Sequence, residues 1–123
     1  MALNTSPIQT SDFPDIIVQD TDTNATATND VFGGAKSVHT FTLDNSQNSS
    51  QAVYFKFFNS AGVTLANDVP DMKIKVPIST TVSIIVADGL SFTTGVSFVC
   101  MQEIADGTGS DPGATVITTL IGS

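Results

Sequence analysis

Apolar residues along this chain come in short runs that alternate with polar ones and end at Gly, Pro, Asn or Asp. The clearest run is 72–76, where Met72, Ile74 and Val76 alternate with Lys73 and Lys75. A period of two is the mark of a strand with one face buried. Residues 37–43 repeat it, with Phe41 and Leu43 inward and Thr40 and Thr42 outward. So does 80–87, with Val82, Ile84 and Val86 on one side, although Ile85 interrupts the polar side and predicts coverage there. In 52–58 both sides carry bulk: Val53, Phe55 and Phe57 on one, Tyr54, Lys56 and Phe58 on the other. The longest apolar run, 96–104, sets Val96, Phe98 and Cys100 against Ser97, Val99 and Met101, and 114–121 supplies a final strand. Turns are predicted at 44–50, at Ser60-Ala61-Gly62, at 66–70, at Asp88-Gly89 and across 105–113. No segment shows the i, i+3, i+4, i+7 stripe of an amphipathic helix at useful length. The pattern predicts an all-β chain of about seven or eight strands folded as a two-sheet antiparallel sandwich, jelly-roll-like.

Residues 1–34 read differently. They hold five of the twelve acidic residues (Asp12, Asp15, Asp20, Asp22, Asp30), no basic residue, and a Thr/Asn/Asp tract over 20–30 that has no apolar face to bury. Only Phe13, Ile16, Ile17 and Val18 are sticky. Two readings stay open: an edge strand added to the domain's own sheet, or an arm laid on a neighbouring subunit. The division expected is an extended arm over 1–34, hinged at Gly33-Gly34, and a sandwich over 35–123.

Charge narrows the function. Twelve acids against four bases give a formal charge of -8, only 13% of residues are charged while 41% are hydrophobic, and every base is a lysine (Lys36, Lys56, Lys73, Lys75). Without arginine there is no fork for phosphates, and the field repels nucleic acid, so a nucleic-acid partner is excluded from the expectation. No run approaches transmembrane length and no secretory leader is legible at 1–7, which leads to the expectation of a cytoplasmic site of synthesis with no membrane partner. An apolar surplus with so few charges predicts burial both in a core and in an assembly.

Candidate chemistry is sparse. Cys100 is the single cysteine, flanked by Val99 and Met101, and reads as a small buried hydrophobe. His39 is the single histidine and lies in an alternating strand with no activated-nucleophile motif near it. The loop 106–111 holds Asp106, Asp111 and two glycines like a cation loop, but it lacks the alternating acids and terminal Glu of an EF-hand. The expectation is no catalytic residue, no cofactor and no metal.

The central segment resembles a group of small tailed-phage virion proteins. The resemblance rests on Tyr54, Lys56 and Asn59, then Asp68 and Pro70, then Val76-Pro77, then Gly89, Leu90, Phe92, Gly95 and Val96, in that order. It departs at Ile78-Ser79, where the group has a small Ala-Gly turn, and the acidic arm has no counterpart. The resemblance implies a virion component, foremost a capsid decoration (cement) protein with a jelly-roll or similar sandwich. Such proteins are often homotrimers on the head surface, bound to the major capsid protein. Alternatives are a tail or head-fibre subunit and a receptor- or carbohydrate-binding sandwich. Residues nominated for partner contact are Phe13, Ile16, Ile17 and Val18 of the arm, Phe58 and Ile85 as bulk on outer faces, and the outward Lys73 and Lys75, which could meet an acidic partner.

Overall fold

The computed structural model describes residues 16–123. Seven strands form there: β1 (Ile16–Asp20), β2 (Lys36–Asp44), β3 (Val53–Asn59), β4 (Met72–Val76), β5 (Thr81–Phe92), β6 (Val96–Met101) and β7 (Ile117–Gly122). They make a four-stranded sheet, β1-β7-β2-β5, and a three-stranded sheet, β4-β3-β6. All pairings are antiparallel.

An eighth strand is present in reduced form. Thr28 makes an antiparallel bridge to Phe98, and Asn24 and Val31 also bond β6 through their main chains, so 24–31 runs along the free side of β6. Inserting that segment second in chain order gives strand orders 1-8-3-6 and 5-4-7-2, the two interleaved Greek keys of a jelly roll. The tract cannot extend the bridge into a ladder because it has little β-branched apolar content to pack; its side chains are spent on local bonds, such as Asn24 Oδ1 accepting from Thr26 N at 2.9 Å.

Residues 16–34 are therefore built into both sheets. Of the two readings left open for this segment, its described part takes the first: β1 is an edge strand paired residue by residue with β7, from Ile16 opposite Gly122 to Asp20 opposite Thr118. Phe13 and the rest of 1–15 lie outside the described residues.

The core lies between the sheets. Val38, Phe41, Leu43 and Leu120 project from the larger sheet, and Val53, Phe55, Phe57, Phe98 and Cys100 from the smaller, all fully buried. Phe57 crosses the interface and meets Phe41 edge-on at 5.1 Å and Phe98 at 5.8 Å. Alternation in β2, β4 and β5 matches the sequence reading, but the Asp88-Gly89 turn signal does not end β5. Pairing jumps from Thr40 opposite Ile85 to Val38 opposite Leu90, so residues 86–89 of β5 bulge past His39 alone. Gly89 makes this possible: its φ is +82°, and a Cβ there would lie 2.9 Å from that of Ser37.

The corner after β2 is held by one side chain. Asn45 is fully buried, and its Nδ2 donates to the carbonyls of Gln51, Val76 and Pro77 at 3.2, 3.3 and 3.0 Å.

Candidate interaction surfaces

Register on the larger sheet fixes what its outer face presents. One row crosses all four strands as Ile17, Ile121, Thr40 and Ile85, and the next as Gln19, Thr119, Thr42 and Ser83. A third, shorter row is Ile117, Asp44 and Thr81. Asp44 is the one ionised side chain in these rows. Its carboxylate accepts from Ser46 N at 2.8 Å and Thr81 Oγ1 at 3.0 Å, and the bonds from Ser46, then Thr81, hold its pKa below the usual carboxylate value. Ile17 and Ile85, at 69% and 79% exposure, stand at the two ends of the first row. Among the described residues nothing supplies the coverage predicted over Ile85. At the bulged end of the sheet His39 Nε2 lies 3.0 Å from Ser123 Oγ, an exposed pair.

The smaller sheet is the opposite case, because the chain covers its outer face. Phe58, Val99 and Met101 form a second buried cluster under Ala25, Ala27, Val63 and Leu65. Lys56 lies in the same layer at 1% exposure. Its ammonium donates to the carbonyl of Ala105 and lies 3.0 Å from the Met101 thioether. Burial, then the neighbouring Lys73 charge, push its pKa below the usual lysine value, against the pull of Asp106 and Glu103. Lys73, directly opposite Lys56 in register, donates to Ile104 O at 2.8 Å and pairs with Asp106 at 2.5 Å.

Two ammonium groups thus hold the loop that reads as a cation loop in the sequence. The oxygens of that loop have internal partners: Glu103 Oε1 accepts from Ser110 N at 2.8 Å and Asp111 Oδ1 from Ala25 N at 3.0 Å. Among the described residues no three His, Cys, Asp or Glu side chains gather as a metal site would need. Between this loop and residues 25–29 and 63–66 lies an open groove of about 600 Å³.

Of the nominated contact residues, the fold brings together Ile17 and Ile85. Ile16 and Val18 are half-buried on the inner side of β1. Phe58 is a correction: at 2% exposure it belongs to the second cluster, where loops roof it, and offers no surface. Lys73 is engaged with the 102–111 loop and is not a free charge for an acidic partner, whereas Lys75 stays exposed on β4. Sequence reasoning missed the companions of Ile17 and Ile85, namely Thr40, Thr42, Thr119 and Ile121. The signal was the outward Thr40-x-Thr42 of β2 and the outward Ile117, Thr119 and Ile121 of β7, which gain meaning only when the strands are neighbours. Cys100 is fully buried and its thiol pKa is raised far above the ordinary value by desolvation.

No family model, curated protein or solved structure matches this chain. Among the described residues no helix is long and apolar enough to cross a membrane.

Proposed function

We propose that the chain is a capsid decoration protein, which binds an assembled viral head as an oligomer, foremost a homotrimer, and stabilises it. The observation that carries this reading is the outer face of the larger sheet: four strands wide, β-branched, and almost free of charge on a chain whose formal charge is -8. Two acidic surfaces meet at a cost wherever their charges approach, and this face is where a copy or a shell subunit can approach without it. The jelly-roll strand order agrees with the resemblance, and the residues that carry the resemblance do structural work. Asn59 Oδ1 accepts from Thr94 N at 2.8 Å, and a Cβ on Gly95 would lie 3.1 Å from Ser60 O.

The mechanism is linkage. A protein that binds the assembled lattice and not its separated subunits adds RT ln(1 + [L]/Kd) to the stability of the lattice, about 2.7 kcal/mol per site at a hundredfold excess over Kd. Joined copies raise avidity further, since each bound copy holds the next at high effective concentration. Sedimentation with empty heads tests this. The chain should pellet with heads and not with unassembled capsid subunits, and Ile85→Lys should abolish pelleting with Tm unchanged. Absence from the pellet, or equal pelleting of the variant, refutes the reading.

A further inference from the structure

The reduced eighth strand leaves an unfilled place at the edge of the smaller sheet. Both main-chain groups of Thr28 face β6, with Thr28 N to Phe98 O at 2.9 Å and Phe98 N to Thr28 O at 3.0 Å. On either side the pattern slips, because Val31 replaces residue 30 as donor to Val96 and Asn24 replaces residue 26 as acceptor from Cys100. By strand alternation the N–H and C=O of Ala27 and Asn29 point the other way, out of the sheet. None of these four groups has a hydrogen-bond partner among the described residues.

The 600 Å³ groove opens beside this edge. Ala25, Ala27, Val63 and Leu65 give it an apolar floor, Thr108 and Asp111 bound one end, and no lysine lines it. Its walls are fixed from within, since Asn29 Oδ1 accepts from Val63 N at 3.1 Å and Asp111 Oδ1 from Ala25 N. The charges near it are carboxylates: Asp111 on its lining, Asp68, whose Oδ2 accepts from Thr64 N at 2.7 Å, and Asp30 one residue beyond the edge.

We propose that Ala27–Asn29 is a strand-addition site for an extended, basic peptide segment of a partner protein. The segment's main chain would pair with Ala27 and Asn29, and alternate side chains would drop onto the Ala27/Leu65 floor while lysines or arginines face Asp111 and Asp30. Main-chain pairing supplies affinity in such complexes, and the pocket supplies selection. The charge argument chooses the occupant: a second copy of this chain would bring its own carboxylates to an acidic rim, whereas a cationic segment is drawn to it. This site is on the sheet opposite the uncharged face and does not depend on the shell reading.

The probe is a capped heptapeptide alternating lysine with threonine or valine, compared with its glutamate counterpart and with a copy N-methylated along one edge. Saturable binding by fluorescence anisotropy should favour the lysine peptide over both others by at least about tenfold. Amide exchange at Ala27 and Asn29 should slow by a similar factor on binding, with Thr28 unchanged because it is already bonded. Ala27→Pro, which deletes one edge donor, and Thr108→Lys, a surface change at the end of the groove, should each weaken binding about tenfold. Equal affinity for the lysine and glutamate peptides, binding without slowed exchange at Ala27 and Asn29, or no saturation at millimolar peptide overturns the proposal. None of these outcomes involves heads, so the shell reading stands or falls separately.

Discussion

Replacing Lys56 by methionine should make the protein more stable. Wild-type Lys56 is 1% exposed, the hydrogen-bond acceptors of its ammonium are one carbonyl and one thioether, and it makes no ion pair among the described residues. Exchanging a buried, poorly compensated charge for an apolar side chain of like length yields about 1–4 kcal/mol net of the bonds it breaks, and the charge-assisted bond to Ala105, in the exposed 104–106 loop, places this case in the lower half of that range. A net gain of about 1–2 kcal/mol follows. With an unfolding entropy of about 2.1 cal/mol/K per residue, it raises Tm by roughly 4–8 °C. The pH dependence has a definite sign. Lys56 in the folded chain gives up its proton below the ordinary 10.5, so between its folded value and 10.5 the unfolded chain holds more protons and wild-type stability rises with pH. Below the folded value the burial penalty is present in full. The advantage of Lys56→Met is therefore largest near neutrality and shrinks as pH climbs toward 10.5. Urea unfolding of both proteins at intervals from pH 7 to 10.5 measures this. A variant less stable than wild type at pH 7, or a difference that does not move with pH, would refute the reasoning.

Phe57→Ala removes the ring that joins the sheets and should cost about 3–5 kcal/mol, a fall in Tm of more than about 10 °C by calorimetry. Asn45→Asp should destabilise more than Asn45→Ala in urea titrations, despite its closer shape. The aspartate sets a carboxylate against the three carbonyls that Nδ2 now serves, whereas alanine forgoes those bonds, at about 1 kcal/mol each. Cys100 should react with a thiol reagent only at the rate of global unfolding, because burial both shields the sulfur and suppresses its thiolate; rapid labelling of the native protein would contradict the packing.

The strands were legible because most of them have one wet side. Met72, Ile74 and Val76 announce β4 by alternation alone, and Phe41 and Leu43 announce β2. What the period of two does not carry is the cover on the smaller sheet. Lys56 occupies an outward position by count and is buried by loops that arrive from 63–65 and 105, distances in sequence that no local pattern spans. Phe58 was misread for the same reason. Asp88-Gly89 has the chemistry of a hairpin turn, but the following Leu90-Ser91-Phe92 finds β2 still beside it, so the chain bulges and resumes. The uncharged face needed the register: Ile17 and Ile85 are separated by two strands, and their common row exists only once β7 is known to lie between β1 and β2.

That placement of β7 bears on how the protein is made. The strand that joins β1 to the rest of the larger sheet comes from residues 117–122, so during translation both β1 and one side of β2 wait until β7 has been made. Until then Phe41 and Leu43 have no finished layer around them, and the nascent chain carries apolar surface that the completed molecule hides. β1 can take its place only after β7 has been made. A variant lacking residues 117–122 should accordingly aggregate in the cell, where the chain that keeps them does not.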